Sequence, residues 1–214
     1  MNPNVWELIL VTAMIVVVII GINWYKYKKS QEIKELTPEQ QPKLDAPRGR
    51  SQDSGKVIRA LKSFASRNGY EIIQPGKIAH GTGVSDFDAL VIGTFGVLAV
   101  RSMGYHGQVY GGEREQTWAQ TTGSGRVEFP NPLQQAEKEA RLVREVLFDN
   151  KIKGVPVEAI CVFPNKATEL LMPRSTPVYR MKEFSALLMK DKYTDDKKVD
   201  IDAVAKALRN AVEK

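Results

Sequence analysis

Two aspartates one residue apart, Asp86 and Asp88, stand at the head of an apolar run. The runs Asp86–Ile92 and Val97–Arg101 flank a short Gly-Thr-Phe-Gly break. Runs rich in Val, Ile and Leu that are punctuated by glycine read as a β-hairpin. With Gly93 facing Gly96, Asp88 falls opposite Arg101 and Asp86 opposite Met103. Side chains alternate along a strand, so these four share one face at one end of the pair. Carboxylates gathered at such an edge are ligands for a hard divalent cation. A carboxylate facing a guanidinium forms an internal ion pair instead, and the expected pair is Asp88 with Arg101. The alternative is that Arg101 snorkels outward from the strand end. Glu113 and Glu115 are the other nearby acids able to complete a metal site, and a solvated turn is the competing reading for both. His106, between Tyr105 and Gly107, reads as a surface residue rather than a general base, and His80 is too isolated to be its metal partner.

The elements that position these residues follow from periodicity. Leu90, Ile92, Val97 and Ala99 continue the charged face, while Phe87, Ala89, Val91, Leu98 and Val100 fill the other. Both faces are apolar, which marks central strands of a sheet. Val57, Leu61 and Phe64 recur at helical spacing and predict an amphipathic helix over Ser54–Asn68, ended by Gly69. Tyr70–Gln74 reads as a short strand, and His80-Gly81-Thr82-Gly83 as a flexible loop. Gln108–Tyr110 and Thr117–Thr121 read as short strands. Asn131 caps a helix over Pro132–Phe148 whose buried stripe is Leu133, Ala136, Ala140, Val143 and Leu147. Lys138, Arg141 and Arg144, interleaved with Glu137, Glu139 and Glu145, read as its solvated face. Val155–Phe163 is a buried strand and Pro177–Arg180 a shorter one. Glu183–Met189 is a short helix and Lys190–Lys198 an unstructured, charged connection. Asp200 or Asp202 opens the last helix.

The central stretch resembles the NERD, or nuclease-related, domain, a branch of the PD-(D/E)XK nuclease superfamily. Asp86-Phe87-Asp88, Phe95-Gly96-Val97-Leu98, Tyr105, Gly107, Trp118 and Asn131-Pro132-Leu133-Gln134-Gln135 follow that family's order and spacing over roughly residues 55–164. The resemblance implies an α/β, restriction-endonuclease-like sandwich with a mixed central sheet. It also implies a divalent ion held between Asp88 and the acid of a Glu-x-Lys motif, with Gln135 pointing toward the site to hold a phosphate or a water. This chain departs from that pattern: Arg101 and Met103 occupy the Glu and Lys positions. Gly55-Lys56 stands where the family has a glutamate near the start of the first helix. A dication ~4 Å from a guanidinium at an effective dielectric of ~20 is repelled by roughly 8 kcal/mol. The expected site, Asp86, Asp88, Arg101, Met103 and Gln135, is therefore a degenerate one.

The rest of the 214 residues bound this reading. Residues 5–25 are strongly apolar and carry no charge apart from Glu7, with Trp6, Trp24 and Tyr25 at the ends. Such a length of helix spans about 30 Å, the thickness of bilayer hydrocarbon. No basic n-region precedes it, which argues against a cleaved signal peptide. Lys26, Lys28 and Lys29 follow at once, so residues 1–4 are expected outside and the remainder in the cytoplasm. Residues 26–53 are rich in Gln, Glu, Lys and Pro and read as a linker. Residues 54–214 form the expected NERD-like domain. The formal net charge is +6, which permits a polyanionic partner without requiring one. The single cysteine, Cys161, excludes a disulfide framework within the monomer. The expected molecule is a single-pass protein of the cell membrane, held in the bilayer by residues 5–25. Its domain binds nucleic acid or a protein partner, with no small-molecule cofactor. The alternative is an active phosphodiesterase using Mg²⁺ or Mn²⁺ on relocated ligands drawn from Asp86, Asp88, Glu113 and Glu115.

Overall fold

The computed structural model describes residues 54–212, together with Gly21. The expected membrane span and linker otherwise lie outside the described residues. Among the described residues no helix is long and apolar enough to cross a membrane. The chain begins with helix α1 (Ser54–Asn68), which buries Val57, Ile58, Leu61, Phe64 and Ala65. Gly69 ends it with φ at +69°, a left-handed conformation that costs glycine nothing. Strand β1 (Glu71–Ile73) follows, then a small hairpin of β2 (Ala79–His80) and β3 (Gly83–Val84). The expected flexible loop is thus a tight turn, held by pairing of Ala79 with Val84 and His80 with Gly83.

The predicted central hairpin forms from β4 (Ala89–Gly93) and β5 (Gly96–Ser102). Its register is the expected one, running from Gly93↔Gly96 to Ala89↔Val100. Every residue of both strands is buried. Next come β6 (Gly107–Tyr110), β7 (Thr117–Thr122) and β8 (Gly125–Pro130), then helix α2 (Pro132–Asp149). Strands β9 (Val157–Phe163), β10 (Thr168–Leu171) and β11 (Val178–Arg180) lead to helices α3 (Met181–Leu187) and α4 (Ile201–Asn210). A 3-10 turn at Asp191–Tyr193 lies between those helices.

The main sheet has the order β1-β4-β5-β9-β11. It is mixed: β1, β4 and β5 pair antiparallel, while β9 and β11 run parallel to β5. Apolar side chains from alternate positions build a core on each face. Leu90, Ile92, Val97 and Ala99 pack against Leu133, Ala136, Ala140 and Val143 of α2 and Val204 and Leu208 of α4. Val91, Leu98 and Val100 pack against α1 and against Phe184 and Leu187 of α3. Helices α1 and α2 therefore cover opposite faces. A second sheet, β10-β6-β7-β8, contributes Val109, Trp118 and Phe129 to the α2 side. Strands β8 and β10 were not read from the sequence: each offers only two large apolar residues, Val127 and Phe129 or Leu170 and Leu171.

The connection between α3 and α4 also differs from the unstructured segment expected. Tyr193 is buried there, its ring edge-on to those of Phe64 and Phe95, and the Lys197 N–H donates to the Thr94 carbonyl at 3.0 Å. The buried Tyr193 ring, together with the bonds to this segment's backbone and the Lys192–Glu158 ion pair, folds the charged segment back onto the sheet.

Candidate functional site

The end of the central hairpin carries the site, and it departs from a regular ladder. Pairing stops at Ala89↔Val100, and the Asp88 N–H donates to the Val100 carbonyl at 2.9 Å. The Asp88 carboxylate then lies along β5, where its Oδ2 accepts from the Ser102 N–H at 2.5 Å. Asp88 is buried at 8 % exposure, as is Arg101 at 5 %. The expected Asp88–Arg101 pair is not the one formed. The ion pair of Arg101 is with Glu139 of α2, through Nη2 and Oε2. Because the backbone leaves the ladder at Asp88, its carboxylate is drawn to a strand N–H. The guanidinium instead reaches the helix that covers this face.

Glu139 is the residue that the sequence reading missed, having been assigned to the solvated face. It is 9 % exposed. Its Oε2 also accepts from the Asp86 N–H at 2.6 Å, and its Oε1 from the Gln135 side-chain amide at 3.3 Å. The signal was present in the helical period: position 139 lies three after Ala136 and four before Val143, on the buried stripe. Arg101 completes its own shell with two bonds to the Asp86 carbonyl, from Nε at 3.2 Å and Nη2 at 3.1 Å. Its guanidinium carbon lies 5.5 Å from the centre of the Phe87 ring, within cation–π range.

A pocket of about 180 Å³ opens beside this cluster, lined by Asp86, Arg101, Met103, Tyr105, Pro130, Pro132 and Gln135. The structure thus brings together four of the five expected residues, while Asp88 does not line the pocket and is bonded to the Ser102 N–H. Met103 is buried and offers no proton-handling group. Tyr105 stacks on Phe129, ring centres 3.8 Å apart, and burial pushes its hydroxyl up to about 12. Its phenol is therefore a neutral group at ordinary pH. Asn131 explains the Asn-Pro start of α2. Its Oδ1 accepts from the Leu133 N–H at 2.9 Å, capping the helix. Its amide donates to the carbonyls of Gly112, Glu113 and Glu115. This one side chain holds the preceding turn against the first turn of α2, where Gln135 sits.

Glu113 and Glu115 are exposed on that turn, and neither lines the pocket. Among the described residues no three His, Cys, Asp or Glu side chains are grouped so as to hold a metal ion. The residues present do not fit a divalent cation at the hairpin end. A permanent cation already occupies its centre, the acid that reaches that centre is neutralised by it, and Asp88 Oδ2 is committed to a backbone donor. His80 lies elsewhere, between Glu145 at 3.2 Å and Asp149 at 2.9 Å. The hydrogen bond to Asp149 is the main cause of its raised pKa. His106 is exposed, as expected.

A mixed sheet with helices on both faces and a polar cluster at the end of its central hairpin defines an α/β sandwich domain. The family model for the nuclease-related domain, NERD, matches residues 51–164, just over half of the chain, and the chain belongs to that family. No curated protein shows significant similarity to it.

Proposed function

We propose that this nuclease-related domain is a binding module whose metal-dependent phosphodiesterase chemistry has been lost. Residues 5–25 hold it at the cytoplasmic face of the cell membrane, and its partner is a nucleic acid or a protein. The observation that carries the reading is the buried Arg101–Glu139 ion pair, formed where the family resemblance puts the metal-binding acid. Hydrolysis of a phosphodiester in such a site needs an ion to polarise the phosphate and lower the pKa of the attacking water. A guanidinium can hydrogen-bond a phosphate oxygen, but it does not ligate water and so does not lower that water's pKa as a metal does, and Arg101 is already engaged by Glu139 and the Asp86 carbonyl. Met103, at the lysine position, adds no cation or proton donor. The domain needs no cofactor in this reading.

The test is incubation of the full chain with plasmid DNA and Mg²⁺ or Mn²⁺, beside Asp88→Ala. The expected result is no metal-dependent cleavage by either protein and no micromolar metal binding by titration calorimetry. Cleavage that requires metal and disappears in Asp88→Ala would overturn the proposal in favour of an active nuclease. Binding of duplex DNA or RNA at low salt separates a nucleic-acid partner from a protein one.

A further inference from the structure

The charge of the globular unit is concentrated on one helix. From Ser54 onward the chain has 24 Lys and Arg against 19 Asp and Glu. Helix α1 alone holds Lys56, Arg59, Lys62 and Arg67 and no acid, so the remainder of that stretch is +1. The four basic side chains are exposed, with Ser63 and Ser66 between them, while the opposite side of the helix is buried in the core. Arg59, Lys62 and Arg67 form no ion pair with another described residue. Asp53 immediately precedes the helix in sequence; among the described residues the nearest acid, Glu71, is engaged by Arg209. This differs from α2, where Arg144 is paired with Glu137 and basic and acidic residues alternate.

We infer that the basic face of α1 docks on the anionic headgroups of the bilayer that residues 5–25 enter. This rests on the membrane-anchored reading above. Only 28 residues, 26–53, separate the two segments, a contour of at most about 100 Å. Within that radius a weak electrostatic contact becomes effectively intramolecular. Headgroup phosphates and serine carboxylates complement a face that is cationic throughout. Each basic side chain near an anionic leaflet raises the surface partition roughly five-fold. A nucleic acid is less well matched. The face has no aromatic side chain for base stacking, and it lies across the sheet from the pocket at Asp86 and Gln135, on the α1 rather than the α2 side. Docking through α1 would leave that pocket turned to the cytoplasm.

The test uses the full chain with Ser63→Cys, labelled with a fluorophore. Cys161, the other thiol, is buried. The chain is reconstituted into vesicles of phosphatidylcholine, with or without phosphatidylserine, containing a lipid with a nitroxide headgroup. The label should be quenched in the phosphatidylserine vesicles, released by molar salt, and little quenched in phosphatidylcholine alone. Replacing Arg59, Lys62 and Arg67 together by Gln should weaken docking on the order of a hundred-fold, with an unchanged melting curve showing that the fold is intact. Should the three replacements unfold the domain, Arg59→Gln and Lys62→Gln singly, each expected to give a several-fold loss, take their place. Equal quenching in both lipids, or no effect of the replacements, would overturn the inference. So would a larger response of the label to duplex DNA than to phosphatidylserine. Resistance of the chain to alkaline extraction from neutral vesicles reports the span alone. If the chain is extracted, the anchoring reading fails, and co-flotation of the released chain with phosphatidylserine vesicles still decides the role of the α1 face.

Discussion

The side chains of Arg101 and Glu139 are each about nine-tenths buried, and they were brought together from different elements. Removing one partner of a buried pair leaves the other charge unsolvated, which typically costs about 3–5 kcal/mol. Arg101→Ala should therefore lower the unfolding free energy by about that much, measured in urea. Replacing both residues, Arg101→Met with Glu139→Leu, should recover most of the loss, because two apolar groups need no counter-charge. If the single and double replacements cost the same, the pair does not hold the hairpin end. Asn131 is a second residue with a disproportionate role. Asn131→Ala removes the cap of α2 and three bonds to the turn before it. A loss of about 1–3 kcal/mol is expected by the same measurement, with the turn at Gly112–Glu115 showing faster amide exchange.

At the level of elements, the pair β4 and β5 followed from its apolar pattern, and its turn set the register. Gly96 is required at that turn, since its φ is +126° and an added Cβ would lie 2.3 Å from the Pro156 carbonyl oxygen. The backbone at Pro156, just before β9, cannot give way as a flexible side chain would. Gly96→Ala should destabilise the domain by at least about 2 kcal/mol, read as a fall in melting temperature. Strands β8 and β10 escaped sequence reading for the opposite reason. Their apolar residues are few and mostly part-exposed, and they are strands because a neighbouring edge offers them backbone partners. The same holds for Asp191–Tyr193, a turn in a charged segment that is fixed by the place Tyr193 finds among Phe64, Tyr70 and Phe95.

Two properties belong to the whole molecule. His80 ties the β2–β3 hairpin to the end of α2 through Glu145 and Asp149, and these partners raise its pKa in the folded state. A histidine with a raised folded pKa stabilises the fold fully below its unfolded value of about 6.5 and loses that contribution as pH rises through the folded value. The melting temperature of His80→Gln should therefore fall furthest below the parent's at pH values between about 4 and 6.5, and the gap should close at alkaline pH. A gap independent of pH would mean that packing, not charge, makes the link. Cys161 lies in the middle of β9 and is fully buried, and burial pushes its thiol up to about 12. It should react with a thiol reagent only as fast as the sheet opens globally, so its labelling rate should track the denaturant dependence of unfolding.

The sequence by itself determined the family pattern, the α/β class, the limits of α1, the central hairpin with its register, and four of the side chains that line the pocket at its end. These are local properties: apolar periodicity, glycine at turns and a capping asparagine act over a few residues. It could not determine which carboxylate meets Arg101. Opposite positions on a regular ladder pointed to Asp88, but the chain leaves the ladder there, and the helix laid across that face delivers Glu139 instead. That choice between two acids, 13 and 38 residues away along the chain, was decided by the path of the backbone and the packing of α2. An ion pair forms where the fold makes desolvation mutual, not where the sequence spacing is shortest.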